Sequence, residues 1–206
     1  MDYSIDVFIS YKRDKWQDRW LTKHFLERFN FCMNQEVSAR LQRPAVIFFD
    51  QSRIRRELRT GVLQPDGGIE PGALWRNELE RAIKISRCMV GLWSPMYFGS
   101  TWCRREWLSF ASRPGQPLVP ASVYDGKHFP ERAREFQMID LSEYVLQGID
   151  RTDRFSEFEQ EVRLLAEAAA EKVANPPPFC NWPIEPDGVA PAPRPIKLQS
   201  LTNVSE

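Results

Sequence analysis

The sequence predicts an α/β fold, a flavodoxin-like three-layer sandwich around a parallel five-stranded sheet, and three observations carry that reading. Short runs of β-branched and aromatic residues alternate with longer stretches whose apolar residues recur at helical spacing. The clearest runs are continuously apolar, as strands buried on both faces are. The first three of them end on polar residues, at Ser10-Tyr11-Lys12-Arg13, at Asp50 and at Ser94-Pro95. A parallel sheet brings such ends to one rim, where ligands bind in folds of this class.

The elements follow in order. A first strand is predicted over 5–10 (IDVFIS), ending in the polar loop 11–14. Leu21, Phe25 and Phe29 recur every four residues within 16–39, with Trp16 and Trp20 extending the stripe, which predicts a helix packed on the sheet. Pro44 precedes AVIFFD (45–50), the second strand. The stretch 51–72 holds Pro65, Gly67, Gly68, Pro71 and Gly72 and the cluster Arg53, Arg55, Arg56 and Arg59, which reads as a long loop with an assembly or solvated surface. Trp75, Leu79, Ala82 and Ile83 restore helical spacing over 75–86 and lead into a third strand, CMVGLW (88–93). A short helix over 102–111, a fourth strand over 118–123 and a weak fifth over 138–141 follow. The last helix, 155–173, turns Phe158, Val162, Leu165 and Ala169 inward, and Ser156 with Glu159 is spaced as a capping box. Domain organisation is therefore a folded unit over 1–174 and a proline-rich linker or tail over 175–206. Eight of the sixteen prolines fall between Pro176 and Pro195, and a linker of that kind would lead to a further sensor module.

Composition excludes several classes. The 206 residues are 42% hydrophobic, enough for one sizeable core. Lys plus Arg and Asp plus Glu both total 28, so the formal net charge is zero and direct nucleic-acid binding is not expected. The longest apolar runs fall far short of the ~20 residues a membrane helix needs. The start, Met-Asp-Tyr-Ser-Ile-Asp, carries no basic segment followed by an apolar one, so the expected location is the cytoplasm. Cys32, Cys88, Cys103 and Cys180 form no CxxC pair, and His24 and His128 lie far apart, so no metal site is expected; the cysteines read as reduced thiols, Cys88 as core. A GxxxxGK[ST] loop and a GxGxxG after the first strand are both missing, which removes the usual support for a Walker ATPase or a dehydrogenase. A phosphoacceptor receiver would need acids where Ser10 and Ser94 stand.

Four blocks remain, in order: DVFISYKR (6–13), VIFFD (46–50), GIEPG (68–72) and LWSPMYFGSTWCRREW (92–107). Together they resemble the TIR (Toll/interleukin-1 receptor) domain family over roughly residues 3–170, with a loop after the second strand that is longer and richer in arginine than the family pattern. In its NAD+-cleaving members the glutamate of the WxxxE segment is catalytic, which the resemblance places at Glu106, with Trp102 one turn earlier on the same helical face. It implies hydrolysis of the nicotinamide-ribosyl bond by an immune effector that acts on assembly. NAD+ is then substrate, no cofactor is needed, and the partners are further TIR domains and a sensor. A single carboxylate suits that chemistry. The leaving nicotinamide is already cationic and needs no general acid, while the oxocarbenium ribose calls for an anion and hydrogen bonds.

The binding residues expected around Glu106 are Phe8, Ser10, Lys12, Arg13, Asp50, Ser94 and Trp102. Lys12 and Arg13 suit a pyrophosphate, and Trp102 an aromatic wall against the leaving ring. Each has an ordinary alternative: Phe8 and Trp102 as core, the polar residues as loop surface, and Glu106 as a solvated helix glutamate paired with Arg104 or Arg105. Two other functions compete, a non-catalytic TIR scaffold and a nucleoside-processing transferase of similar sheet topology.

Overall fold

The computed structural model describes residues 2–50, 75–146 and 154–184. The arginine cluster, the GIEPG block and most of the tail fall outside them. Among the described residues five strands form one parallel sheet in the order β2-β1-β3-β4-β5, from β1 (Ile5–Tyr11), β2 (Ile47–Phe49), β3 (Ser86–Trp93), β4 (Leu118–Ser122) and β5 (Ile139–Asp140). The order of the first three strands sets the ends of β2, β1 and β3 side by side, as the polar strand ends required. Below that rim the buried Asp6 ties the other end together: it accepts Arg43 Nη1 at 2.6 Å and Nη2 at 2.7 Å and the Val46 amide at 2.9 Å, with Arg87 Nε at 3.4 Å.

Alternation along the strands divides the core in two. Val7, Ile9, Tyr11, Ile47, Phe49, Cys88, Val90 and Leu92 face α1 (Lys15–Trp20), α2 (Leu26–Leu41) and α8 (Phe155–Ala174). Phe8, Phe48, Met89 and Trp93 face α3 (Trp75–Ile85), α4 (Pro95–Gly99), α5 (Thr101–Ala111) and α6 (Glu131–Arg134). The helix α7 (Ser142–Leu146) follows β5. The inward stripes expected of the first and last helices are in place, from Leu21, Phe25 and Phe29 through to Phe158, Val162, Leu165 and Ala169.

Three local expectations are corrected. The stretch expected as one helix over 16–39 is interrupted by a π turn over Leu21–Phe25, with Asp14 capping its start. The wider turn rotates what precedes it. Gln17 joins Trp20 inward and Trp16 is left 75% exposed. The Ser156–Glu159 capping box does not form: α8 starts from Arg154 with no side-chain cap, and Arg154 instead pairs with Glu143 and Glu157. The tail, read from the sequence as a proline-rich linker or tail from residue 175, folds back at its beginning. Trp182 Nε1 donates to Tyr3 Oη at 3.1 Å, and Tyr3 Oη donates to the Pro177 carbonyl at 3.0 Å. Phe179 meets the Tyr3 ring edge-on, and Ile184 packs against the α3–α6 core. Buried Arg113, which donates to the Ile83 and Ser86 carbonyls at 2.7 and 2.9 Å, lies against the Trp182 ring. Packing therefore continues past residue 174 to Ile184.

Candidate active site

Three elements converge on Glu106. The first is β1, whose alternation puts Ser10 on the same face as Phe8, toward α5. The second is β3, where Gly91 lies in register beside Ser10. A Cβ there would come within 2.5 Å of Trp93 Nε1, so the glycine makes room for the indole and for what packs around it. The third is the helix pair after β3. Ser94 caps α4 by accepting the Tyr97 amide, and Ser100 caps α5 by accepting the Cys103 amide. Arg104 Nη1, donating to the Phe98 carbonyl at 2.7 Å, staples the two helices together.

This arrangement buries Glu106 to 7% exposure. The solvated glutamate of the ordinary reading is thereby excluded, and so are its partners: Arg105 turns to Glu80 on α3 at 3.5 Å, and Arg104 is held by Phe98. Ser10 Oγ donates to Glu106 Oε2 at 2.5 Å, within the short range of hydrogen bonds to a carboxylate. Ser10 Oγ and Tyr97 Oη are 2.7 Å apart. Burial pushes the Glu106 carboxyl up to about 7; the Ser10 bond and the positive charge of Arg13 oppose that rise without cancelling it. The Cys103 thiol, one helical turn away, is pushed up to about 12 by burial and by the neighbouring carboxylate, and donates weakly to the Tyr11 carbonyl.

A cavity of about 190 Å³ opens beside the carboxylate, lined by Phe8, Lys12, Arg13, Asp50, Trp102 and Glu106 together with Ile9, Tyr11, Leu79, Ser100 and Cys103. Six of the eight residues expected from the sequence thus share one concavity. Arg13 is ion-paired with buried Asp50. Trp102 carries the Arg105 guanidinium 4.6 Å over its ring and Arg76 at 5.5 Å, so cations hold the indole at the cavity edge. Ser10 stands behind the carboxylate, outside the cavity lining, and Ser94 serves as a helix cap. Phe8 is both core and floor, stacked on Phe48 at 5.3 Å. Sequence reading assigned no role to Tyr97. Its signal was its place in the first turn after a strand that neighbours β1, but that neighbour relation is legible only once the strand order is known.

A sequence model of the TIR domain matches residues 51–157, 107 of the 206 and so just over half of the chain. The chain belongs to the TIR domain family. Ser94, Tyr97, Trp102 and Glu106 of this TIR domain fall inside the matched stretch, whereas the β1 and β2 blocks precede it. Among solved structures the TIR domain is similar to the TIR domains in the structure of the activated Roq1 resistosome directly recognizing the pathogen effector XopQ. The identity there is 21%, over 79% of this chain and 84% of that one, with a TM-score of 0.37. No curated protein matches the chain. Among the described residues of the TIR domain, no helix is long and apolar enough to cross a membrane and no group of three or more His, Cys, Asp or Glu is placed to hold a metal. All four cysteines are free thiols, with Cys88 in the core.

Proposed function

We propose that this TIR domain is an NAD+ nucleosidase, an immune defence effector that cleaves the nicotinamide-ribosyl bond. The observation that carries the reading is the buried Glu106 carboxylate, oriented by Ser10 and lining a cavity at the carboxyl end of the sheet with an aromatic wall and two cations beside it. A carboxylate this desolvated is costly to keep unless charge develops next to it. In the reaction, the bond between the ribose anomeric carbon and the pyridinium nitrogen breaks, and its electron pair returns to the ring, which leaves as neutral nicotinamide. Glu106 stabilises the oxocarbenium centre and accepts from the ribose hydroxyls. Water adds to the anomeric carbon and releases one proton, giving ADP-ribose; capture by the adenine of the same molecule would give a cyclic isomer.

The cavity is below the ~300–1,000 Å³ typical of small-molecule sites. On this reading the nicotinamide-ribose end enters it beside Glu106, and Lys12 and Arg13, which also line it, are the cations available to the pyrophosphate. Completion by a further TIR domain, with a sensor module beyond the proline-rich tail, fits such a part-formed site. Concentrated protein incubated with NAD+ should release nicotinamide, with specific activity rising with protein concentration. Glu106→Gln should lower turnover by about a hundredfold or more. Correctly folded wild-type protein that assembles yet leaves NAD+ intact would point instead to a scaffold.

A further inference from the structure

We infer that Tyr97 is a positioning residue for this reaction: acting through Ser10, its hydroxyl holds the Glu106 carboxylate in one orientation as the anion. The inference rests on the proposed cleavage only for its effect on turnover; the geometry stands by itself. Ser10 has one hydroxyl proton, and the 2.5 Å contact commits it to Glu106 Oε2. At 2.7 Å from Tyr97, the Ser10 oxygen must therefore accept, and the phenol must donate. The phenol can do so at any ordinary pH, because complete burial pushes its ionisation well above the usual range. All three groups are buried, Ser10 at 1% and Tyr97 at 0% exposure, so no solvent competes for the bonds. Consecutive bonds polarise one another, which makes Ser10 a better donor than an isolated serine.

The relay also fixes direction. With Oε2 held from behind, Oε1 takes no hydrogen bond from the described residues and is left for the cavity that Glu106 lines. Other groups facing the carboxylate are accounted for: Lys12 and Arg13 from the loop after β1, Asp50 from the end of β2 in its pair with Arg13, Cys103 from its own helix, and the apolar Leu79 from α3, where Glu80 turns to Arg105. Apart from Tyr97, none of them reaches Ser10 Oγ among the described residues. A tyrosine serving only to fill space would depend on its ring, which lies against Phe98 at 5.2 Å and Trp93 at 6.3 Å and would be retained by phenylalanine.

The test uses the full chain with glutamate labelled at the side-chain carboxyl carbon, the Glu106 signal being assigned by its absence in Glu106→Gln. Ser10→Ala should move the Glu106 titration midpoint upward from about 7 by about one to two pH units, the worth of a hydrogen bond to an ion. Tyr97→Phe should move it upward by about 0.3 units, the share a cooperative second bond supplies, and should lower kcat about twofold at pH 6 with KM unchanged. In the Ser10→Ala background, Tyr97→Phe should move nothing further. An unchanged midpoint in Tyr97→Phe, or the same shift in both backgrounds, would overturn the relay. Wild-type protein that releases no nicotinamide would sink the cleavage reading instead, while the titration would still decide whether the relay exists.

Discussion

The two faces of the sheet are built from alternate residues of the same strands, yet they are filled in opposite ways. Toward α2 and α8 the strands meet long helices whose inward stripes are apolar but for Asn30, with the small residues Ala166, Ala169 and Ala170 letting α8 lie close. Toward α3–α6 they meet short helices, a dense aromatic cluster around Trp93, and buried polar groups: Ser10, Arg105, Glu106 and Arg113. One face is optimised for packing. The other accepts desolvated polar groups, which cost stability unless each is bonded, and that cost is the mark of a site rather than of a core.

If the first face carries the stability, truncating its centre should have the largest effect. Phe158 on α8 is fully buried between Trp20 and Tyr144. Phe158→Ala should destabilise by about 3–5 kcal/mol, with turnover per folded molecule unchanged. Denaturant unfolding checks this; a loss below ~1 kcal/mol would mean that the aromatic face holds the domain together instead.

The opposite sign is expected at Glu106. Its carboxyl is raised in the folded state, from 4.5 to about 7. The folded state therefore holds its proton more tightly than the unfolded chain does. The group's contribution is fully present below pH ~4.5 and is lost as pH rises through about 7. Glu106→Gln removes that loss. At pH 8 it should stabilise the domain by on the order of 3 kcal/mol, the shift taken at about 1.36 kcal/mol per unit, because the amide, like the protonated carboxyl, is neutral and carries no buried charge. Below pH 4.5 the two proteins should unfold alike. A variant less stable than wild type at pH 8 would show that the carboxylate is a structural partner. Turnover should follow the other limb, rising with pH through about 7 as Glu106 ionises.

Legibility in the sequence followed the same division. The first face was read almost residue by residue, because an amphipathic stripe over five turns, as in α8, has one solution. So was the rim, since strands that end on polar residues must present them together. The second face was read only in part. Glu106, Lys12, Arg13, Asp50, Phe8 and Trp102 were placed around one site, but α4 and α6 span five and four residues, too short to show a period. The role of Tyr97 depends on β1 and β3 lying side by side, a fact of strand order rather than of spacing. Ser94, read as a rim group, is spent on capping because a strand that turns directly into a helix needs an acceptor there.

The tail sharpens the comparison, since Trp182 and Ile184 extend the α3–α6 face rather than the α2–α8 one. Chain ending after Asn175 should lose about 2 kcal/mol of burial from Phe179, Trp182 and Ile184, roughly 4–8 °C in melting temperature for a domain of this size. Chain ending after Ile184 is the matched control for the same contacts. Equal melting temperatures for the two would show that these aromatics merely rest on the surface.

The smallest effect is expected at Trp16. Helical spacing placed it in the same inward stripe as Trp20, where its loss would cost as much as that of Phe158. The π turn over Leu21–Phe25 changes the phase, so Trp20 stacks on Phe25 at 5.4 Å while Trp16 stands in solvent. An exposed side chain in a first helical turn contributes little, and the Asp14 cap that holds that turn bonds the Trp16 amide through its backbone, which substitution leaves intact. Trp16→Ala should therefore change stability by no more than about 0.5 kcal/mol, within a degree or two of the wild-type melting temperature. A loss of ~3 kcal/mol would mean that the helix runs on in α phase and that Trp16 belongs to the first face after all.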